Sequence, residues 1–263
     1  MPFRLEKIAF GTLFLKKEEA IINALQNGYK IIDTAKVYQN EEMVGQAIKK
    51  YLITNNAKRE DVIIETKIWC DDIETENTTN AVLGALKRLD VNYLDIVLIH
   101  RPNMNFHKTI KAYVELLKCK AQGLIRVVGV SNFDKDMIEV LFEKTGIYPN
   151  INQIEFSPFN QRWDRVQYCQ DKNILVQAYS PITKVLENQI LITEAKKYNC
   201  TVAQLVLVWI KYFSIQPIVK AETLEHIKEN NSIEKIKLTK KTIQLLQNLN
   251  MYDNVYAETF DGI

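Results

Sequence analysis

Four ionisable residues suggest what chemistry this chain could do. Asp33 closes a short β-branched run, KIID (30–33), and Tyr38 follows five residues on. Lys67 closes DVIIETK (61–67), behind Glu65 and Thr66, and His100 closes LDIVLIH (94–100). Each has a bland reading by itself. A tyrosine beyond a strand is usually a packing residue, and a lone histidine is more often structural. A lysine at the end of a buried strand is costly unless paired, and an ion pair with Asp33 would account for it. Taken together, the four suit carbonyl reduction. Hydride arriving at a carbonyl carbon builds negative charge on the oxygen, which a donor must protonate. Free tyrosine titrates near pH ~10, so it is a poor acid unless its anion is stabilised. A buried Lys67 ammonium beside the hydroxyl would favour the phenolate. Asp33 would keep Lys67 charged and oriented, and His100 could donate a hydrogen bond to the carbonyl oxygen.

Residues from distant parts of the chain meet only if the fold brings them to one rim. Eight short apolar runs could do this: 8–12, 30–33, 61–67, 94–100, 126–131, 151–156, 174–179 and 216–220. Continuous apolar runs of this kind suit parallel strands buried on both faces. Segments with helical spacing separate them, at 18–27, 41–52, 80–89, 110–120 and 135–144. Asp134 and Thr201 stand where N-caps belong, and Gly28, Gly123 and Gly146 where helices should end. Eight repeated β/α units predict a closed (β/α)8 TIM barrel, with a doubly wound open sheet as the competing architecture. In a barrel the active site gathers at the C-terminal strand ends, which is where Asp33, Lys67 and His100 fall. The other strand ends carry Ser131 followed by Asn132, Asn152 and Gln153 within strand six, Tyr179 followed by Ser180, and Lys220.

Composition narrows the function classes. A chain of 263 residues, 47% hydrophobic and 25% charged, suits one large globular domain. Its 34 Lys and Arg nearly balance 32 Asp and Glu, so neither a nucleic acid nor a membrane surface has an electrostatic claim on it. Four scattered cysteines and three histidines show no metal-ligand spacing, so neither a metal site nor a disulfide framework is expected. The start, MPFRLEK, has no apolar run, and the longest apolar stretch, near 202–210, is too short to span a bilayer. A cytoplasmic monomer is the default expectation.

The segments GYKIIDTAKVYQNEEMVG (28–45), ETKIW (65–69), LDIVLIHRP (94–102), GLIRVVGVSNF (123–133) and NQIEFSPFNQ (152–161) resemble the signature stretches of the aldo-keto reductases. VQAYSPI (176–182) and KAETLEHIKEN (220–230) continue the likeness, which runs in family order over roughly residues 8–250. The resemblance implies a single (β/α)8 barrel over residues 1–263 that uses NADP(H), and that could also accept NAD(H), without a G-x-G-x-x-G fingerprint. No such fingerprint occurs here. It implies that Asp33, Tyr38, Lys67 and His100 form the catalytic tetrad, with Tyr38 the acid. Ser131, Asn132 and Gln153 would hold the nicotinamide carboxamide and Tyr179 would stack on the ring. Ser180 and Ile182 would begin the pyrophosphate loop, and Lys220, Thr223, His226, Glu229 and Asn230 would lie at the adenosine end.

The departures from the family pattern carry their own expectations. Ala221 replaces a serine and His226 an arginine, so preference for the 2′-phosphate should be weakened. Arg101 stands where the family often has an aromatic residue. Together with Tyr38 and His100 it would meet the substrate and favour acidic or sugar-like carbonyls, its bland alternative being an ion pair with a loop carboxylate. The loop at Pro102–Phe106 and the loop after strand seven are short, which predicts an open pocket for small aldehydes. Asp71–Asp72 and Glu18–Glu19 read as solvated faces. The few residues before the first strand would truncate or remove the hairpin that often plugs the barrel bottom. Three other readings compete. A short-chain dehydrogenase would use the Y-x-x-x-K at Tyr168–Lys172 but needs a glycine-rich loop that is missing. A phosphosugar barrel leaves Ser131, Asn132, Gln153 and Tyr179 without a role. A catalytically weak regulatory barrel that binds nicotinamide cofactor is the alternative from another functional class.

Overall fold

The computed structural model describes residues 8–75 and 77–255. In chain order the elements are β1 (Ala9–Gly11), α1 (Glu19–Gln26), β2 (Ile31–Asp33), α2 (Glu41–Thr54), β3 (Ile63–Ile68), α3 (Cys70–Glu74), α4 (Thr78–Leu89) and β4 (Leu94–Ile99). Then come α5 (Phe106–Ala121), β5 (Ile125–Ser131), α6 (Lys135–Thr145), β6 (Ile151–Glu155), α7 (Trp163–Asp171), β7 (Leu175–Tyr179) and α8 (Gln189–Lys196). The last are α9 (Val202–Tyr212), β8 (Gln216–Val219), α10 (Leu224–Asn231) and α11 (Lys240–Gln247). The eight strands are all parallel and close into a barrel, with β1 paired to both β2 and β8. The architecture is therefore the (β/α)8 barrel, and the open sheet is excluded.

The elements form where the local chemistry favours them. Asp134 accepts from the Met137 amide to start α6, and Thr201 forms a capping box with Gln204 to start α9. Gly146 ends α6 at φ 70°, in the left-handed region that costs glycine least. Alternation along each strand divides the core in two. Outward residues such as Ile32, Ile64, Val97 and Val128 pack under the helices. Inward residues Ala9, Ile31, Ile96, Leu98, Val127, Ile151 and Ile218 fill the barrel itself. Gly129 makes that filling possible, since a Cβ there would stand 2.6 Å from Leu98 Cδ2 and 2.8 Å from the Ile151 carbonyl oxygen.

One expectation fails in the loop after β3. Asp72 is not solvated: it is buried, accepts from the Trp69 amide at 3.1 Å and pairs with Lys36 Nζ at 2.5 Å. A carboxylate at the first turn of α3 meets unpaired amides there, which a charge pattern alone does not reveal. The residues before Ile8, where a bottom hairpin would lie, fall outside the described residues. Among the described residues no helix is long and apolar enough to cross a membrane.

Candidate active site

Asp33 is the last residue of β2, and its strand end feeds a tight turn that carries Tyr38. Thr12 Oγ1 donates to the Asp33 carbonyl oxygen, Thr34 Oγ1 to Asn40 Oδ1, and Asn40 Nδ2 to the Thr12 carbonyl oxygen. These bonds are buried. They lock Lys36–Tyr38 into one 3-10 turn, closed by Gln39 in the left-handed region at φ 55°. Lys67 and Thr66 alternate on β3. Thr66 points outward and donates to buried Glu41 at 2.6 Å, while Lys67 points inward with its side chain wholly shielded.

Inside the mouth the four residues meet. Lys67 Nζ donates to Asp33 Oδ1 at 2.5 Å, to the Thr34 carbonyl oxygen at 3.0 Å and to Tyr38 Oη at 3.4 Å. The ring of His100, just past β4, stands edge-on to Tyr38 at 5.8 Å and to Trp69 at 4.8 Å. The guanidinium of Arg101 lies over the Trp69 ring, 4.9 Å from its centroid. So the sequence-named set is brought together, and its members come from three neighbouring strand ends.

The electrostatics differ from the sequence expectation in one respect. Burial pushes Tyr38 up to about 12, against the downward pull of Lys67, with Asp33 adding to the rise. Burial thus outweighs the ammonium, and Tyr38 holds its proton throughout the neutral range. Burial opposes the charge on Lys67, but the neighbouring acidic groups, Asp33 first and then Tyr38 and Glu65, together more than restore it, so its pKa lies above the ordinary lysine value. His100 is driven well below its ordinary value, first by burial and then by the charges of Lys67 and Arg101. It is therefore a neutral imidazole at physiological pH, and its Nδ1 is buried without a hydrogen-bond partner among the described residues.

Strand register lays the next residues in a row: Ser131 beside Gln153, Gln153 beside Gln177, Gln177 beside Gln216. Ser131 Oγ donates to the Gln153 carbonyl oxygen. Asn132, itself left-handed at φ 66°, donates to the His100 carbonyl oxygen and to Ser131 Oγ and accepts from Tyr179 Oη. Gln153 Nε2 donates to Asp33 Oδ1 at 3.0 Å and Glu65 Oε1 at 2.7 Å, which leaves its Oε1 without a partner among the described residues. Asn152 alternates outward instead, donating to the Phe133 carbonyl oxygen.

The remaining named residues lie further round the rim. Ser180 and Ile182 follow β7 and are half-buried, Ser180 with φ 51°. Lys220 is exposed and pairs with Glu222 at 3.2 Å. Thr223 caps α10 through the His226 amide, Glu229 accepts from Thr201 Oγ1 at 2.6 Å, and Asn230 is buried. Sequence reasoning gave no role to Glu222, on this rim, or to Glu65, inside the barrel beside Asp33. Glu222 is visible only as a charge two positions from Lys220. Glu65 was discoverable, because a residue two before an inward lysine must also face inward.

Buried Lys–Asp and tyrosine groups at the mouth of a parallel barrel, beside a neutral histidine and a row of amides, define a class of oxidoreductase. Comparison with known proteins agrees. The model of the aldo/keto reductase family matches residues 13–186. The chain is 35% identical over 240 residues to a glyoxal reductase of Bacillus subtilis, covering 90% of this chain and 84% of that one. It is also 35% identical over 236 residues to a methylglyoxal reductase of Yersinia pestis, covering 88% and 83%. An aldo-keto reductase from a Medee basin deep-sea metagenome library superposes with a TM-score of 0.91 at 31% identity, over 99% of this chain and 96% of that one. A Bombyx mori aldo-keto reductase in complex with NADP does so with a TM-score of 0.88 at 29% identity, over 95% and 90%. The chain belongs to the aldo/keto reductase family.

Proposed function

We propose that this chain reduces small aldehydes and ketones with NADPH, glyoxal-like dicarbonyls among them, with Tyr38 as the proton donor. The observation that carries the reading is Lys67 Nζ, buried and shared between Asp33 Oδ1 at 2.5 Å and Tyr38 Oη at 3.4 Å. The cofactor, when bound, supplies hydride to the carbonyl carbon. The chain does the rest. Tyr38 passes its hydroxyl proton to the carbonyl oxygen, and Lys67 offsets the charge left on the phenolate. Neutral His100 donates one N–H to the same oxygen and, being uncharged, does not compete with Tyr38 for the role of acid.

The donor set fits a nicotinamide. Both amide hydrogens of Gln153 are engaged below by Asp33 and Glu65, so its open Oε1 is suited to accept from a carboxamide N–H. Ser131 and Asn132 would flank that group and the Tyr179 ring would cover it, with Ser180 and Ile182 next to the pyrophosphate. Lys220, Thr223, His226, Glu229 and Asn230 would meet the adenosine end. The ion pair of Lys220 with Glu222 supports acceptance of NADH as well, because that lysine already has an anionic partner. Short connections, residues 100–105 after β4 and 180–188 after β7, support an open pocket for small substrates. In this pocket Tyr38, His100 and Arg101 would face the substrate.

Loss of reduced-nicotinamide absorbance is followed with a panel of small aldehydes, comparing the wild type with Tyr38→Phe. Turnover that drops by at least a thousandfold in the variant, with cofactor still quenching tryptophan fluorescence, is the expected result. Cofactor binding by the wild type without turnover of any aldehyde would favour the regulatory barrel, and absence of both would refute the cofactor assignment.

A further inference from the structure

Beside Asp33 and Lys67 the barrel interior holds an acidic group that the proposed reduction does not use. Glu65 is completely buried and stands two residues before Lys67 on β3, so both side chains enter the barrel. Register sets it beside Asp33 on β2 and Ile96 on β4. From the opposite wall Gln153 Nε2 donates to its Oε1 and Gln177 Nε2 to its Oε2, each at 2.7 Å. Gln153 Nε2 also reaches Asp33 Oδ1 at 3.0 Å, and Gln177 Nε2 reaches Gln216 Oε1 at 2.8 Å. A continuous hydrogen-bonded path therefore runs from Glu65 through Gln153 and Asp33 to Lys67 and the Tyr38 hydroxyl.

We propose that Glu65 is a positioning residue for carbonyl reduction: as a buried neutral acid it fixes Gln153 and leaves the Lys67 charge to Tyr38, and its ionisation suppresses proton donation by Tyr38. This rests on the reading of Tyr38 as the acid. The charge count of the interior supports it. The titratable groups facing Glu65 are Asp33 from β2, Tyr38 from the turn after it and Lys67 from β3. The strands β4, β6, β7 and β8 present Ile96, Gln153, Gln177 and Gln216, none of which titrates. If both carboxyls ionised, one ammonium would face two buried anions in a dry space. Asp33 stands beside Glu65 in strand register, so a proton held on Glu65 leaves one ammonium facing one carboxylate. Burial and then Asp33 push Glu65 up to about 8, against the pull of Lys67 and the Gln177 amide, so the proton resides there at neutral pH.

The consequence reaches Tyr38. Proton donation leaves a phenolate, so the interior then holds one cation and two anions while Glu65 is neutral. With Glu65 ionised it would hold three. The Glu65 charge, like that of Asp33, raises the Tyr38 pKa, and Lys67 would be divided among more anions. In the reaction itself the Tyr38 proton goes to the carbonyl oxygen and Glu65 keeps its own.

Profiles of kcat/KM against pH, from about pH 6 to about pH 10, are compared for the wild type, Glu65→Gln and Gln177→Leu. The wild type is expected to lose about tenfold across the region of pH 8. Glu65→Gln is permanently neutral and of equal size; it should stay within about threefold of the wild type at neutral pH and lack that fall. Gln177→Leu removes an amide that favours the ionised form, so its fall should move to higher pH. Thermal unfolding without cofactor gives a second readout. Glu65 binds its proton more tightly folded than unfolded, so the stability this proton contributes is complete below about pH 4.5 and is lost as pH rises to about 8. The wild-type midpoint should therefore sink relative to that of Glu65→Gln across this range. If Glu65→Gln does not fold, the shift in Gln177→Leu decides. Turnover with a profile flat through pH 8, or with a fall that neither variant moves, overturns the Glu65 role and leaves the reductase reading intact. Wild-type chain that turns over no aldehyde refutes both.

Discussion

Replacing Lys67 with methionine removes the one charge on which the proposed proton transfer depends. Its ammonium sits 3.4 Å from Tyr38 Oη with no solvent around the side chain. Two unit charges at that spacing attract by roughly 5 kcal/mol at an effective dielectric of about 20. The phenolate is only partly formed in the transition state, so about half of this, roughly 2–3 kcal/mol, should appear as lost rate. That is about 30- to 150-fold in kcat/KM. Methionine fills nearly the same space, but Asp33 loses its counter-ion, and breaking a buried pair costs about 3–5 kcal/mol of stability. The assay is therefore steady-state aldehyde reduction alongside a thermal melt, at a temperature where the variant is folded. Affinity for the cofactor, read by tryptophan quenching, should hardly move. A folded Lys67→Met enzyme within about fivefold of wild-type kcat/KM would show that the ammonium contributes little to the charge on Tyr38 and would refute the electrostatic reasoning.

Two substitutions test the proposed selectivity. Glu222→Gln frees Lys220 from its 3.2 Å partner and removes an anion from the proposed adenosine end. The ratio of kcat/KM for NADPH over NADH should rise by about three- to tenfold, and an unchanged ratio would take Glu222 out of cofactor choice. Arg101→Ala should lower the ratio of efficiencies for a carboxylated aldehyde over its neutral analogue by about tenfold, the worth of one charge-assisted hydrogen bond. An equal drop for both substrates would mean that Arg101 only supports the Trp69 ring.

The fold and the meeting of Asp33, Lys67 and Tyr38 at one rim were legible because both follow from periodicity. Alternation put Asp33 and Lys67 on the inner face of neighbouring strands, and the register of Asp33 against Glu65 made them meet. The strand bounds moved by no more than about two residues, as expected where the ends of ladders fray. What stayed hidden depended on third partners. Asp72 looked like one of two surface charges until Lys36 and the Trp69 amide enclosed it. The pKa of Tyr38 could not be signed from Lys67 alone, because burial and attraction oppose one another and only packing decides which is larger. Glu65 was visible as an inward residue, but its partners Gln153 and Gln177 come from strands about 90 and 110 positions away.

The two ends of the site are built by different means, and this separates what they can control. The Tyr38 end is fixed by strand register and by buried bonds from Thr12, Thr34 and Asn40, so a change there disturbs several partners at once. Lys220, Glu222 and His226, at the proposed adenosine end, are exposed and held mainly by the start of α10. Substitutions among them meet solvent and few neighbours. They should alter cofactor KM and leave kcat nearly constant, because a remote contact present equally in the ground and transition states does not change the chemical step. On the proposed reading, departures such as Ala221 and His226 are then compatible with an intact set of Asp33, Tyr38, Lys67 and His100: the proposed chemistry would be set inside the barrel mouth, and the choice between the two nicotinamides would be retuned on its rim.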